Sequence, residues 1–239
     1  MVGWCNMKQK KIALFDIDKT VYDGYVLFFM TEYQVKKRTI SENDFNNIYR
    51  DFKLYKKGLV DYETTVANLL IHWARGLKGI SGNTVLKQTR CFLKGKGNRF
   101  FPFLKPVIKL LKRTHEIYFV TGEPEFIGRT VSDLYRATGF ITSKLGVRNG
   151  IFTGEVKTFL AKREEKQKAI KQLLKAYDVN GSFAFGDSEG DIEILNSVEN
   201  AICINPTAGL KKTAKERGWV IAKPEEVEKI LKQKVEELI

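Results

Sequence analysis

Five short apolar runs constrain this chain more than any other feature. Most stop on a polar or acidic cluster, and longer helical patterns separate them. KIALFDID reads as a buried strand ending in acids, EIYFVTG as a second strand, SFAFGD as a third, AICIN as a fourth and WVIA as a fifth. Helical stretches are predicted from Pro106 to Arg113, Glu125 to Thr138, Glu164 to Tyr177, Asp191 to Ser197 and Leu210 to Arg217. A closing helix from Pro224 to Leu238 has proline in its first turn, where no backbone donor is needed. Strands alternating with helices predict an α/β fold built on a mostly parallel sheet.

The stretch from Tyr22 to about Phe101 breaks this rhythm. It mixes charged and apolar residues at helical spacing and contains no clear strand. Ser41 with Asp44, and Asp61 before a periodic run, look like helix starts. Gly76, Gly79 and Gly82 mark a break between helices, and Gly95, Gly97 and Pro102 mark the return to the core. The expected division is therefore a core of residues 1–21 and 102–239, with residues 22–101 inserted as a helical cap after the first strand. GVRNGIFTGEV, with Asn149-Gly150 at its centre, reads as a small hairpin.

A total of 239 residues with 43% apolar content suits one sizeable core plus an insert. No apolar run reaches the roughly 18–20 residues that would span a bilayer. MVGWCNMKQKK lacks the apolar stretch of a signal peptide, so a cytoplasmic location is the default expectation. Cys5, Cys91 and Cys203 are odd in number and widely spaced, which reads as reduced thiols, with Cys203 a buried small hydrophobe.

In an open parallel sheet, ligands bind at the carboxyl ends of the strands. Polar clusters sit at those ends: Asp16-Ile17-Asp18-Lys19-Thr20, then Thr121-Gly122, then Gly186-Asp187-Ser188 with Asp191 beyond. Lys166 is on the helix preceding the third strand. Asp16 and Asp18, two apart at a strand end, point to the same side. One could attack while the other moves a proton. Gathered carboxylates repel unless a cation lies between them. Oxygen ligands with no nearby histidine or cysteine favour magnesium over zinc. The reaction class read from these residues is metal-assisted phosphoryl transfer.

The same residues resemble the haloacid dehalogenase-like phosphatase superfamily, in its phosphoserine phosphatase-like branch with a helical cap. FDIDKT matches the D-x-D-x-T motif, YFVTG the second motif, Lys166 in EEKQKAIKQLL the third, and GDSEGD the G-D-x-x-x-D motif. The order of the four motifs fits essentially the whole chain. The segment AICINPTAGLKKTAKERGW also resembles that branch. The resemblance implies a Rossmann-like core with an inserted α-helical cap. It implies Asp16 as a nucleophile that forms an aspartyl-phosphate, and Asp18 as the acid and later the base. Magnesium would be held by the Asp16 carboxylate, the Asp18 backbone carbonyl and the Asp187 carboxylate, with Asp191 supporting them by hydrogen bonds. Thr121, the Gly122 amide and Lys166 would hold phosphoryl oxygens, with Lys168 the alternative lysine. Thr20 would fix the loop.

Tyr25 stands where phosphoserine phosphatases carry a cap glutamate for the substrate amino group, which argues against phosphoserine. Aromatic residues around it (Phe28, Phe29, Tyr33) would pack the cap helix or line a less polar pocket. His72, Arg50 and Arg90 are further candidates for substrate contact, and His115 lies before a strand. The expected substrate is a small phosphomonoester. Phosphotransfer from the same intermediate to another acceptor is the alternative within the enzyme class. The net charge of +13 raises nucleic-acid association as a rival. The scatter of lysines along the chain, without a basic segment interleaved with aromatics, argues against it.

Overall fold

The structure is a computed structural model that describes residues 10–95 and 97–236. Cys5, the N-terminal segment read for a signal peptide and the expected helix end at Leu238 lie outside the described residues. Strand β1 (Lys11–Phe15) is followed by helices α1 (Val26–Lys36), α2 (Glu42–Lys56), α3 (Tyr62–Gly76) and α4 (Gly82–Lys94). Next come α5 (Leu104–Leu111), β2 (His115–Pro124), α6 (Glu125–Tyr135), β3 (Gly139–Arg148) and β4 (Ile151–Thr158). Then follow α7 (Arg163–Leu174), β5 (Asp178–Gly186), a 3-10 turn at Glu189–Asp191 and α8 (Ile192–Leu195). The chain continues with β6 (Asn200–Ile204), α9 (Ala208–Arg217), β7 (Val220–Ala222), a 3-10 turn at Pro224–Glu226 and α10 (Val227–Glu236).

The strands form one sheet in the order β4-β3-β2-β1-β5-β6-β7. All neighbours are parallel except β3 and β4. The continuous apolar sequence of β1 reflects burial on both faces, the usual state of a central parallel strand. Alternation sends Ala13 and Phe15 to one face with Ile117, Phe119, Phe183 and Phe185, where Leu104, Ile127 and Leu231 of α5, α6 and α10 cover them. Ile12 and Leu14 face the other way, toward Val120, Ala184 and Cys203, under Ile170, Ile194 and Leu210 of α7, α8 and α9. Phe15 stacks on Phe185 with ring centroids 4.2 Å apart, joining the two strands that matter most for the site. The chain leaves β1 toward β2 on one side and later adds β5 on the other. The crevice at that change of direction is where an open α/β sheet binds ligands.

The insert is helical for reasons visible in its sequence. The Ser41 hydroxyl accepts from the Asp44 amide at 3.1 Å and starts α2, and the Asp61 carboxylate accepts from the Thr64 amide at 2.9 Å and starts α3. Met30, Ile48 and Trp73 are fully buried and continue the first face of the core into the insert. The α3–α4 connection is tied to the sheet. Gly79 N donates to Phe152 O (2.9 Å), Phe152 N to Ile80 O (3.0 Å) and Gly82 N to Gly150 O (2.8 Å).

Several expectations are corrected. The hairpin is larger than GVRNGIFTGEV: β3 and β4 extend the main sheet, and the first half of β3 runs parallel to β2. Asn149 and Gly150 both take positive φ (52° and 77°), as a tight two-residue hairpin turn requires. The helix expected to reach Thr138 stops at Tyr135, where Arg136 adopts a left-handed conformation. That expected to reach Tyr177 ends at Leu174. The helix expected from Asp191 is only Ile192–Leu195 after a 3-10 turn. His115 is the first residue of β2 rather than a residue before it, and is buried against Gly181 O at 2.8 Å.

Candidate active site

The polar strand ends meet at one cavity of about 580 Å³, within the size range of small-molecule sites. Asp16, Asp18, Thr121, Gly122, Lys166, Asp187 and Asp191 all line it. Asp16 leaves the end of β1, its amide bonded to Phe185 O of β5 at 3.0 Å. Thr121 and Gly122 lie on the far end of β2. Gly122 O accepts from Ser143 Oγ at 2.7 Å, and Ser143 Oγ in turn accepts from Leu160 N at 3.0 Å. Thr20 is buried with Oγ1 3.5 Å from Asp187 Oδ1, a loop-fixing position.

Asp187 and Asp191 form a compact turn after β5. Asp191 Oδ2 accepts from the Asp187 amide (3.1 Å), the Ser188 amide (3.2 Å) and the Ser188 hydroxyl (3.3 Å). Gly186 permits this closeness: a Cβ there would lie 2.4 Å from Asp191 Cβ. Asp191 Oδ1 accepts from Lys166 Nζ at 2.8 Å, and the ammonium also donates to Gly190 O at 2.9 Å. Lys166 is buried, whereas Lys168 is exposed on the other side of α7. Burial opposes the charge of Lys166, but Asp191 and then Asp16 outweigh it and hold the ammonium above its usual range.

Carboxylate oxygens of Asp16, Asp187 and Asp191 lie within 4.8 Å of one another. Burial pushes the Asp16 carboxyl well above the ordinary range, and Asp191 adds repulsion. Asp187 is raised to about 8 by burial and then by Asp191. Lys166 and, at Asp187, Lys19 do not offset this concentration of negative charge. An oxygen-only donor set with excess negative charge fits a hard divalent cation, whose presence would reverse these upward shifts.

Sequence reasoning missed Glu123. Its carboxyl is buried in the cavity wall, accepts from the Leu27 amide at 3.0 Å and is raised to about 7, first by burial. Burial and then Glu123 push Asp18 well above its ordinary range. The signal was present: Glu123 follows Thr121 by two in a strand, so both face the same side. Also missed were Phe52, Tyr55 and Tyr62, which join Tyr25 and Phe28 in an aromatic wall. Phe29 and Tyr33 instead pack elsewhere, against Tyr22 and Phe92. Arg50 and His72 both bond Asp51, and Arg90 bonds Asp133, so these three do not line the cavity.

A family profile described as haloacid dehalogenase-like hydrolase matches residues 13–196. The chain belongs to that family. A histidinol-phosphatase of Neisseria meningitidis serogroup C is 26% identical over 227 residues, spanning 89% of this chain and 98% of its own. Among solved structures, a Bordetella pertussis Tohama I protein of unknown function superposes with a TM-score of 0.76 at 19% identity, covering 91% of this chain and all of its own. A substrate-bound phosphoserine phosphatase superposes with a TM-score of 0.67, also at 19% identity, covering 95% and 99%. This haloacid dehalogenase-like hydrolase has the phosphoserine phosphatase-like fold with a helical cap.

Proposed function

We propose that the chain is a magnesium-dependent phosphomonoesterase acting through an aspartyl-phosphate on Asp16, with residues 22–101 as the cap over a core of residues 1–21 and 102–239. The carrying observation is the convergence of Asp16, Asp187 and Asp191 beside Lys166 in one cavity that Asp18 also lines. Asp16 attacks phosphorus while the bond to the alcohol oxygen breaks. Asp18 gives that oxygen a proton, then takes one from the water that hydrolyses the aspartyl-phosphate, releasing phosphate and restoring Asp16. Thr121 Oγ1, the Gly122 amide and Lys166 Nζ hold phosphoryl oxygens. The Asp16 and Asp187 carboxylates and the Asp18 carbonyl would hold magnesium, with Asp191 orienting the Asp187–Ser188 turn. Bound there, magnesium would neutralise the gathered carboxylates and the transferring phosphoryl group.

The aromatic wall favours an alcohol with an apolar or aromatic body, and ring faces also attract cationic nitrogen. The relative of nearly full length named as a histidinol-phosphatase makes histidinol phosphate the first ester to test. Phosphate release should be measured from histidinol phosphate, phosphoserine and an aryl phosphate, with magnesium or with EDTA. We expect magnesium-dependent release, highest from histidinol phosphate and abolished in Asp16→Asn. Release surviving in Asp16→Asn would sink the nucleophile assignment.

A further inference from the structure

Helix α1 begins without a cap of its own. Tyr25 at its N-cap makes no side-chain cap bond, and its first turn has no acid. Two carboxylates from the core supply what is missing. Asp18 Oδ1 accepts from the Val26 amide at 2.7 Å, and Glu123 Oε1 accepts from the next amide, Leu27, at 3.0 Å. The two side chains therefore sit side by side on consecutive donors. Glu123 Oε2 is buried and has no hydrogen-bond partner among the described residues.

Glu123 is itself held firmly. Its amide donates to Thr121 Oγ1 at 3.2 Å, and the next residue, Pro124, pairs with Ser143 across an irregular step between β2 and β3. Resting on the reading of Asp18 as the acid, we propose that Glu123 is a positioning residue for the leaving-group proton. It braces the Asp18 carboxyl between the end of β2 and the first turn of α1, so that Asp18 meets the alcohol oxygen. A carboxyl held by a single amide could swing about its own side-chain bonds, whereas one with a second fixed carboxyl beside it, on the next amide of the same turn, has less room to do so. The helix that opens the cap and the acid that serves the reaction thus share one anchor.

A plain helix cap would affect all substrates alike, whereas a brace for the acid affects those whose leaving group needs a proton. The test compares kcat/KM for 2-phenylethyl phosphate, which leaves as an alkoxide unless protonated, with that for 4-nitrophenyl phosphate, which leaves as a stable phenolate. This ratio reports only steps through cleavage of the bond to the leaving oxygen. General acid catalysis contributes about 10²–10⁴-fold, and Glu123→Ala is expected to lose about 30-fold or more of it on the alkyl ester. The loss on the aryl ester should stay below about 3-fold, because that ester draws little on the acid. Glu123→Gln can keep the Leu27 bond and should show the same split with a smaller loss. Equal losses on both esters, or no loss in either variant, would overturn the proposal. Asp16→Asn run in parallel separates the two ideas. If it abolishes release and the Glu123 variants show no split, only the Glu123 inference fails. If it retains release, the nucleophile reading fails on its own account.

Discussion

Among single residues, two lysines two apart in α7 differ in which side of the helix they take. Lys166 is buried on Asp191, and Lys168 points to solvent. Lys166→Gln removes the ammonium that would face the phosphoryl group. Losing one preorganised charge-stabilising donor costs about 10²–10³-fold in rate, and that is the expected fall in phosphate release. It also leaves Asp191 without its buried partner, at a cost of about 3–5 kcal/mol, or roughly 10 °C in melting temperature for a chain this size. Lys168→Gln should change neither activity nor melting beyond about twofold and 1 °C, as for most surface substitutions. Activity lost in Lys168→Gln but kept in Lys166→Gln would reverse the assignment. Asp16, Asp18, Asp187 and Lys166 could be read from the sequence because local rules place them: strand ends, a period of two, a helix start. Glu123 escaped because its importance comes from a neighbour 105 positions away in the chain, Asp18, and no local pattern announces that meeting.

For whole elements, legibility follows the same division. The central strands were found because burial on both faces leaves a continuous apolar run. The first half of β3 was not, since GFITSK is short and only partly buried at a sheet margin, and its strand character comes from pairing with β2. The helical nature of the insert was legible from Ser41 and Asp61 at helix starts, but not which of its aromatics would face the cavity. That depends on how α2 and α3 lie over the sheet. Phe52 and Tyr55 come from α2, and Tyr62 begins α3. Phe28 and Phe52 lie with ring centroids 4.6 Å apart, making a continuous apolar surface with Tyr25. Burying an aromatic surface contributes about 1.5–3 kcal/mol when complete. Partial loss in Phe52→Ala should therefore raise KM for an aromatic phosphomonoester by about 10-fold. Because Phe52 is far from the reacting bond in role, kcat should change little. Steady-state kinetics that show the loss in kcat instead would mean that this wall shapes the transition state rather than binding the alcohol.

The whole molecule couples its charge to its stability through the carboxylate cluster. Asp187 has a folded-state pKa raised to about 8 against an ordinary 3.8, and Asp16 is raised in the same direction. Between those two values the metal-free folded protein binds more protons than the unfolded chain, so its stability falls as pH rises. The contribution is fully present below about pH 4 and is lost progressively toward pH 8. A divalent cation competes with those protons for the same oxygens, so its affinity rises as they leave. Thermal melting in EDTA should therefore drop steadily from pH 5 to pH 8, with magnesium making little difference at the acidic end. At pH 8, magnesium at about 100 times its dissociation constant adds about 2.7 kcal/mol, an upward shift of roughly 5–10 °C. Asp187→Asn removes a raised carboxyl together with an expected ligand. It should flatten the pH dependence in EDTA and shrink the magnesium shift in the same variant. A magnesium shift equal at pH 5 and pH 8 would show that the cation binds away from these carboxylates. The long-range field of the +13 chain acts in the opposite sense to the cluster, drawing anionic esters toward a crevice that is locally negative until a cation fills it. Raising the ionic strength should then lower kcat/KM for a doubly charged phosphomonoester while leaving kcat nearly unchanged, since screening weakens encounter but not the short-range contacts inside the cavity.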